Sequence, residues 1–515
     1  MAQSLAQELA SAEARQTIAA TKLDTLQMQQ TYRALEDSHN RHKRRTPSIE
    51  MKGEDESVGQ LGRLISVAKA RDNRRNFGGA KATSTQIQMN VVGTGPKCIV
   101  HLEDEGKAEA WSDWFNGPFS KNCDGRGNLH LADQARIAQA TVHREGDLLV
   151  FFDSTGVIPD AKGTLWYWEA DQMPELSKAE WKAHKTQIEE QLGKSDLQQG
   201  SGRITDGYDR TVGYIATKKA EVRGKATAKY DEVTILPTDD CTLLMNPWRI
   251  NQGRGVSDTI EIANMWQDLE RFIESLQQRA LVQSFMAIKI KKKDGIAQGR
   301  GAVSETDNSD GVPDLTSDET TSNARYKNFE KWAMNAIEYM NPDEDAEAMQ
   351  MAGDLPDAQQ MIDFMQGQAG WAQGLSAMFA TGKADASYSA SMAENNLTWP
   401  LFEWWQKWEE RYYYDWVATR AFRYGIEAGK IEAAPEAEWL DKYSFHGWPK
   451  RRAINPSQEA SATRTNLEIG AITYEDIWGP GWKKHTGLLG EQIKWSRDHG
   501  LFVPSFPVGT RSNNT

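Results

Sequence analysis

The chain has 515 residues, 39% apolar and 26% charged, and its 60 Lys and Arg against 73 Asp and Glu leave a net charge of -13. That length makes room for roughly three or four domains, and the acidic balance argues against a protein that holds nucleic acid through a generic basic patch. No run approaches the ~20 apolar residues of a membrane helix, Met1 to Leu9 lack a signal-peptide core, and Cys98, Cys123 and Cys241 are too scattered for a disulfide framework. An intracellular assembly environment is therefore expected. The 19 Trp residues are far above ordinary usage, and they predict extensive aromatic contacts.

Residues 1–50 read as an N-terminal helical arm, with Leu5, Leu9, Ile18, Leu23 and Leu26 at loose helical spacing before the basic cluster His42 to Arg45. Its apolar stripe is thin, so such a helix needs a partner to be ordered. From about 48 to 80 the charged, glycine-containing stretch predicts a linker and a short helix. Residues 85–250 change character and predict an α+β region. The strand-like runs are Ile87 to Val92, Cys98 to Leu102, Leu148 to Phe152, Thr164 to Trp168, Thr234 to Leu236 and Thr242 to Met245. Helical stretches fall at Ala108–Phe115 and Ala132–His143, and 175–232 predicts a helix plus an exposed loop.

From Gly255 the pattern turns helical. Ser257 or Asp258 can cap a helix running to about Ser284, with Ile260, Ala263, Trp266, Leu269, Ile273 and Leu276 on its apolar face. A strand-like run, Met286 to Ile290, follows with Lys289, Lys291, Lys292 and Lys293. A polar insertion follows over roughly 294–325, then a helix at Tyr326–Tyr339 and a strand-like piece at Ala348 to Met351, and residues 294–350 together hold 13 acidic and 4 basic residues. Pro356 opens another helix to about 369, where its missing N–H does no harm. Segment 371–388 is rich in Gly, Ala and Ser, with Lys383 and Asp385 as its charges. Residues 389–428 are the most aromatic stretch. Trp399, Phe402, Trp404, Trp405, Trp408, Tyr412 to Tyr414 and Trp416 surround a helix almost completely, which predicts burial on all sides. Pro400 should kink it, Gly429 is a C-cap candidate, and 435–515 reads as mainly helical. There is no internal repeat.

Motifs for catalysis fail one by one. Gly374 and Gly382-Lys383-Ala384 lack the spacing and the Ser or Thr of a phosphate loop, and Gly93-Thr-Gly95 lacks the third glycine of a dinucleotide fold. Asn308, Asp310 and Gly311 resemble part of a calcium loop, but Ser317 stands where the closing Glu belongs. Cys98 and His101 have no second ligand pair, and Asp343-Glu344-Asp345 reads as a solvated loop before it reads as a magnesium site. Two readings stay open for Lys289 to Lys293, a grip on phosphates or a solvated turn. The aromatic helix could stack bases, but aromatics on all its sides favour core or subunit packing.

Several stretches, taken in order, resemble the tailed-phage portal proteins of the lambda type over roughly residues 70–500. They are Asn90-Val-Val-Gly-Thr-Gly95, Trp111-Ser-Asp-Trp-Phe115, Cys123 to Leu129, Arg144 to Leu149, Glu169 to Met173, Asn246-Pro-Trp-Arg249 with Gly253-Arg-Gly-Val256, Ala386 to Ser391, and Phe445-His-Gly-Trp448 with Ile454-Asn-Pro456 and Leu467–Ile477. The sequence departs from the pattern at Asn455, where the family has Asp, in the long acidic clip-like segment, and over residues 1–50.

The resemblance implies an α+β, predominantly helical portal fold, assembled as a ring of about twelve identical subunits. Its parts would be a wing (51–250), first stem helix (251–285), clip (286–353), second stem helix (354–370), tunnel loop (371–388), kinked spine helix (389–430) and crown (431–515). The ring would sit at the capsid portal vertex of the virion, after assembly in the host cytoplasm. Double-stranded DNA would pass through it during packaging and ejection. Its other partners would be the terminase large subunit, a head–tail adaptor and the major capsid protein, with no membrane, cofactor, metal or enzymatic activity. Within that frame Thr381, Gly382, Lys383 and Asp385 are the candidate channel residues. Lys289, Lys291, Lys292 and Lys293 are the candidate docking residues for terminase or adaptor. Trp399, Pro400, Trp404, Trp405, Trp408 and Trp416 are the candidate spine and subunit-packing residues. The competing expectations are a metal-dependent DNA-processing enzyme built on the acidic clusters, and a head–tail adaptor ring without a portal role.

Overall fold

The computed structural model describes residues 53–218, 223–284, 288–292, 344–348, 358–383, 387–451, 456–472 and 482–498. The expected arm (1–50), the acidic insertion (294–325) and the helix at Tyr326–Tyr339 lie outside the described residues. The chain divides into two compact units, one running to Trp266 and resuming at Gln366, the other spanning Gln267–Met365.

In the first unit, α1 (Glu54–Asn76) and α2 (Gly78–Val91) come first. Both correct the sequence reading. The charged stretch expected as a linker plus a short helix holds a 23-residue helix, interrupted only at Gly59, whose φ of 60° is open to glycine. Ile87 to Val92, expected as a strand, is the last turn of α2. Ile87 and Val91 are four apart and both buried, a helical spacing inside a β-branched run. Strand β1 (Lys97–Val100), α3 (Glu105–Trp114) and α4 (Leu131–Glu145) fall where expected. Asp104 caps α3 by accepting from the Gly106 and Lys107 amides.

Strand β2 (Asp147–Phe152) is the centre of a three-stranded antiparallel sheet, between β3 (Leu165–Glu169) and the later β10 (Cys241–Met245). Its continuous apolar run marks a strand covered on both faces. Leu148, Val150 and Phe152 join an aromatic core, while Leu149 and Phe151 join a second core with Tyr214, Ala216 and Leu236.

In the segment expected as helix plus exposed loop the helix is present, and the expected loop is a folded layer instead. After β4 (Glu175–Leu176) come α5 (Lys178–Leu192), β5 (Gln198–Gly200), β6 (Arg203–Thr205), β7 (Thr211–Thr217), β8 (Thr227–Ala228) and β9 (Val233–Pro237). The strands β5-β6-β7-β9 form one sheet. Ile188 of α5 packs with Ile204, Ile215 and Ile235 in its own core.

Helix α6 (Ala263–Ser284) begins six residues later than the expected cap, because Ser257 accepts from the Thr259 amide and organises a turn first. In the second unit β11 (Ile288–Lys292) pairs antiparallel with β12 (Glu344–Ala348). The expected strand-like piece at Ala348 to Met351 meets β12 at Ala348 and otherwise lies outside the described residues. The ladder sets Lys289 opposite Glu347, Lys291 opposite Asp345 and Lys292 opposite Glu344. Helix α7 is Ala358–Trp371.

Back in the first unit, α8 (Ala377–Thr381) places five helical residues inside the expected loop 371–388. The aromatic stretch is α9 (Tyr388–Glu409), a π-helical turn (Glu410–Tyr414) and α10 (Asp415–Glu427). The helix continues through Pro400, and a π-helical turn follows it at Glu410–Tyr414. Gly429, with φ of 63°, closes α10 as expected. Beyond it lie α11 (Glu436–Trp439), β13 (Tyr443–His446), α12 (Pro456–Glu468) and α13 (Trp482–Asp498). Strand β13, absent from the helical expectation, pairs antiparallel with β1 across more than 300 residues of chain and sets Phe445 opposite Cys98.

Candidate functional site: the turn before α6 and the aromatic spine

The turn Gly253-Arg-Gly-Val256 is locked by buried charge. Arg254 and Asp147 are both fully buried, with Nε to Oδ2 at 2.5 Å and Nη2 to Oδ1 at 3.1 Å. The Gly255 amide donates to the same Asp147 carboxylate at 2.9 Å, and Arg254 also donates to the carbonyls of Ser201 and Ala170. From α1, Arg63 donates to the Gly255 carbonyl and to Asp55 at 2.7 Å. Asp55 in turn accepts from Arg203 and from the Gly253 and Arg254 amides. Burial pulls the Arg63 guanidinium down to about 10, as does the nearby Arg254, while Asp147 and Asp55 oppose the drop. Each guanidinium here meets a carboxylate, although the Nε atoms of Arg63 and Arg203 are buried without a hydrogen-bond partner.

The same contacts explain the glycines. A Cβ on Gly255 would lie 1.9 Å from the Gly146 carbonyl oxygen, and one on Gly253 would lie 1.9 Å from the Arg203 guanidinium carbon. Sequence reasoning had the turn but not the lock, since its carboxylates come from Asp55 and Asp147, about 200 and 107 residues away in the chain.

The spine aromatics divide by face. Trp399, Trp405 and Trp408 are buried, as are Phe402, Tyr413 and Tyr414. They join Trp111, Phe115, Phe422, Trp439 and Phe445 in one core, where Trp111 and Phe422 have ring centroids 5.3 Å apart. Trp416 is half-buried beneath the Arg420 guanidinium, 4.0 Å from its ring centre. Pro400 is exposed. So are Leu397 at 67%, Trp404 at 48% and Tyr412 at 47%, so within one chain this face of the helix is uncovered. Gln406 fixes the spine to α2 and to the loop after β13 by donating to the Asn90 and Pro449 carbonyls, both at 2.9 Å. Glu409, the last residue of α9, is fully buried with neither oxygen hydrogen-bonded, and burial raises its carboxyl well above the usual range.

The candidate tunnel segment is tied to this spine. Ser376 N–H donates to Thr398 Oγ1 at 2.9 Å, Met378 N–H donates to Glu394 at 2.5 Å, and Phe379 meets Phe402 edge-on at 5.4 Å. Thr381 ends α8, Gly382 turns the chain at φ 71°, and Lys383 is exposed with its amide donating to Thr381 Oγ1. Asp385 lies outside the described residues. Of the clip lysines, Lys289, Lys291 and Lys292 lie on β11 and Lys293 is outside the described residues.

One carboxylate group of ligand-like spacing is found among the described residues: Glu145, Glu169 and Asp171. Its centre already holds a cation. Arg71 donates to Glu145 at 2.7 Å, to Glu169 at 2.8 Å and to Asp171 at 2.9 Å. Although burial pulls the other way, the bonds to Asp171 and Glu145 hold that guanidinium well above its ordinary range. Burial pushes the Cys123 thiol up to about 12 and raises Cys98 and Cys241 further, so these buried thiols are poor nucleophiles. Among the described residues no helix is long and apolar enough to cross a membrane.

A family model described as "Phage portal protein, lambda family" matches residues 42–406. No curated protein matches. Among solved structures, the virion of a native gene transfer agent particle matches at 11% identity and TM-score 0.42, covering 80% of this chain and 94% of that one. The neck of the native particle, computed with C12 symmetry, matches at 12% identity and TM-score 0.42, covering 80% and 95%. The neck of the empty particle matches at 11% identity and TM-score 0.41, covering 84% and 94%.

Proposed function

The chain belongs to the lambda family of phage portal proteins, and from that premise we propose that it assembles as a homo-oligomeric ring whose channel carries double-stranded DNA into and out of the capsid. The family is structural and not enzymatic, and a portal protein is a virion component of the neck. In this reading the ring docks the terminase large subunit and later a head–tail adaptor, and its outer surface meets the major capsid protein.

The observation that carries the ring is the outer face of the spine. Leu397, Trp404 and Tyr412 extend along the helical stretch 397–412 with large apolar area turned to solvent. A neighbouring copy seated there would bury it, and apolar area removed from water contributes about 25 cal/mol per Å². The unit Gln267–Met365 falls within the expected stem helices and clip, and its separateness from the remainder supports that division of parts.

The net charge of -13 suits a conduit, because each phosphate neutralised by a fixed Lys or Arg would deepen a trap for passing DNA. Lys383 just past Gly382 is the channel cation of this reading. The acidic clip and its lysines are the docking surface, acting through charge complementarity.

Electron microscopy of the purified full chain tests the proposal. A ring with a central channel wide enough for B-DNA is expected, and a monodisperse compact monomer at high concentration would overturn it.

A further inference from the structure

The first unit carries a second exposed apolar patch besides the spine face, and a sheet stands between the two. Alternate side chains of a strand point to opposite faces. In β2, Leu148, Val150 and Phe152 join the core that holds the spine, while Leu149 and Phe151 meet Tyr214, Ala216 and Leu236 of the four-stranded sheet. The spine therefore lies on one side of the three-stranded sheet and the four-stranded sheet on the other. On that far side Tyr208 tips the hairpin between β6 and β7 at 85% exposure. The turn after β10 carries Trp248 at 67% and Ile250 at 101%.

Both projections are anchored on the buried lock. Arg203 Nη2 lies 3.6 Å from Asp209 Oδ1 and 3.1 Å from Asp55 Oδ2, and Gly253 packs against that guanidinium too closely for any side chain. The Trp248 amide donates to Gln252 Oε1 at 3.1 Å, and Gln252 donates to the Arg254 carbonyl at 2.8 Å. Arg249 pairs with Glu54 at 3.4 Å and stacks over Trp248, its guanidinium 5.6 Å from the ring centre. Arg210 stacks likewise over Tyr208 at 5.4 Å. Projections fixed in this way lose little freedom on docking, and Trp, Tyr and Arg are the residues that anchor interfaces.

We propose that the two patches are the two halves of one head-to-tail seam. Tyr208, Trp248 and Ile250 of one copy seat on Leu397, Trp404 and Tyr412, the outer spine face of the next copy. The inference rests on the ring reading above and adds to it the surface that covers the spine. A ring of more than two identical copies needs two different, complementary patches on every subunit. Patches on opposite sides of a sheet cannot meet within one chain, but successive copies around an axis bring them together. Four of the six side chains are aromatic, each with on the order of 150–250 Å² of surface and about half or more of it exposed. They supply a large part of the roughly 1,600 Å² that a specific interface removes from water.

Cysteine cross-linking of the full chain tests the seam. Cys98, Cys123 and Cys241 are buried and their thiols are raised by burial, so they react little. A chain carrying both Ile250→Cys and Leu397→Cys, treated with a short thiol-reactive linker, should give a ladder of covalent multimers. Ile250→Cys with Tyr412→Cys probes the other end of the face. Each single variant should remain monomeric on a denaturing gel, because a head-to-tail contact does not set a position against itself. Trp248→Ala should weaken association about tenfold or more and leave the subunit's thermal midpoint unchanged. Cross-linked dimers from a single variant would mean a two-fold contact and overturn the seam. Rings seen by electron microscopy whose double variants give no ladder, or that Trp248→Ala leaves intact, would overturn the seam and leave the ring standing. Absence of rings from the parent chain would overturn the ring reading and the seam together.

Discussion

Arg254 and Asp147 form an ion pair with no solvent exposure on either side chain, and the backbone amide of Gly255 shares the same carboxylate. This single contact ties the turn that precedes α6 to the first residue of β2, the strand at the centre of the three-stranded sheet. Asp55 and Arg63 clamp the turn from its other side. The start of the long helix is thereby held by α1 and β2 together.

Removing one partner leaves the other charge buried and unpaired, a loss of about 3–5 kcal/mol. Arg254→Met should therefore lower stability by that order. Arg254→Met combined with Asp147→Leu should recover part of it, because apolar replacement of a whole pair is tolerated. Denaturant unfolding of the two variants beside the parent checks this. Equal stability of Arg254→Met and the parent would contradict the lock.

On the spine, Trp405 is 2% exposed and Trp404 is 48% exposed, although their ring centroids lie only 4.9 Å apart. The neighbours should therefore fail differently. Trp405→Ala empties a packed core and should cost about 3–5 kcal/mol in the subunit. Trp404→Ala should change subunit stability far less and instead weaken association. Unfolding measurements paired with sedimentation velocity separate the two effects. Full assembly by Trp404→Ala would remove that residue from the subunit seam.

Which parts of this fold were legible in the sequence follows from how local their causes are. Strand β2 announced itself through an unbroken apolar run, and α9 with α10 through the density of Trp and Tyr. The sheet β5-β6-β7-β9 did not. Gln198–Gly200 and Arg203–Thr205 are short and polar, and each becomes a strand only by pairing with a neighbour. Ile87 to Val92 carried β-branched residues that read as a strand, until packing selected the face shared by Ile87 and Val91. The lock was invisible for the opposite reason to β2. Arg203 meets Asp55 across 148 positions, and no local pattern encodes that meeting. The Gly-Arg-Gly spacing was the one trace it left.

Asp258 gives a pH dependence of definite sign. Burial pushes its carboxyl up to about 7, with Glu261 adding to the rise and the Asn246 amide, 3.2 Å away, opposing it. The folded chain thus holds a proton that the unfolded chain releases near pH 4. Stability from this group is complete below about pH 4 and falls as pH rises towards 7, where the buried carboxyl ionises. Asp258→Asn removes the ionisation. It should match the parent near pH 4 and exceed it at pH 8. Thermal midpoints of both proteins across that range decide the matter, and a parallel pair of curves would refute the assignment.

Lys383 provides the most direct test of the conduit. The residues before it are fixed, since Phe379 packs on Phe402 and Met378 is bonded to Glu394. Gly382 then turns the chain at φ 71° and ends α8, leaving Lys383 exposed. A ring repeats that exposed cation once per subunit, and around a channel the repeated charges act together on the phosphates of passing DNA. Lys383→Glu reverses the sign without touching the core. Subunit stability should stay within about 0.5 kcal/mol of the parent, and rings should form normally. If Lys383 faces the channel as proposed, packaging completion or retention of packaged DNA should fall, because each phosphate would then meet repulsion in place of brief attraction. Quantifying DNA per particle beside ring assembly reads both consequences from one preparation. Variant particles that fill, hold their DNA and infect as the parent does would show that the exposed cation takes no part in DNA passage.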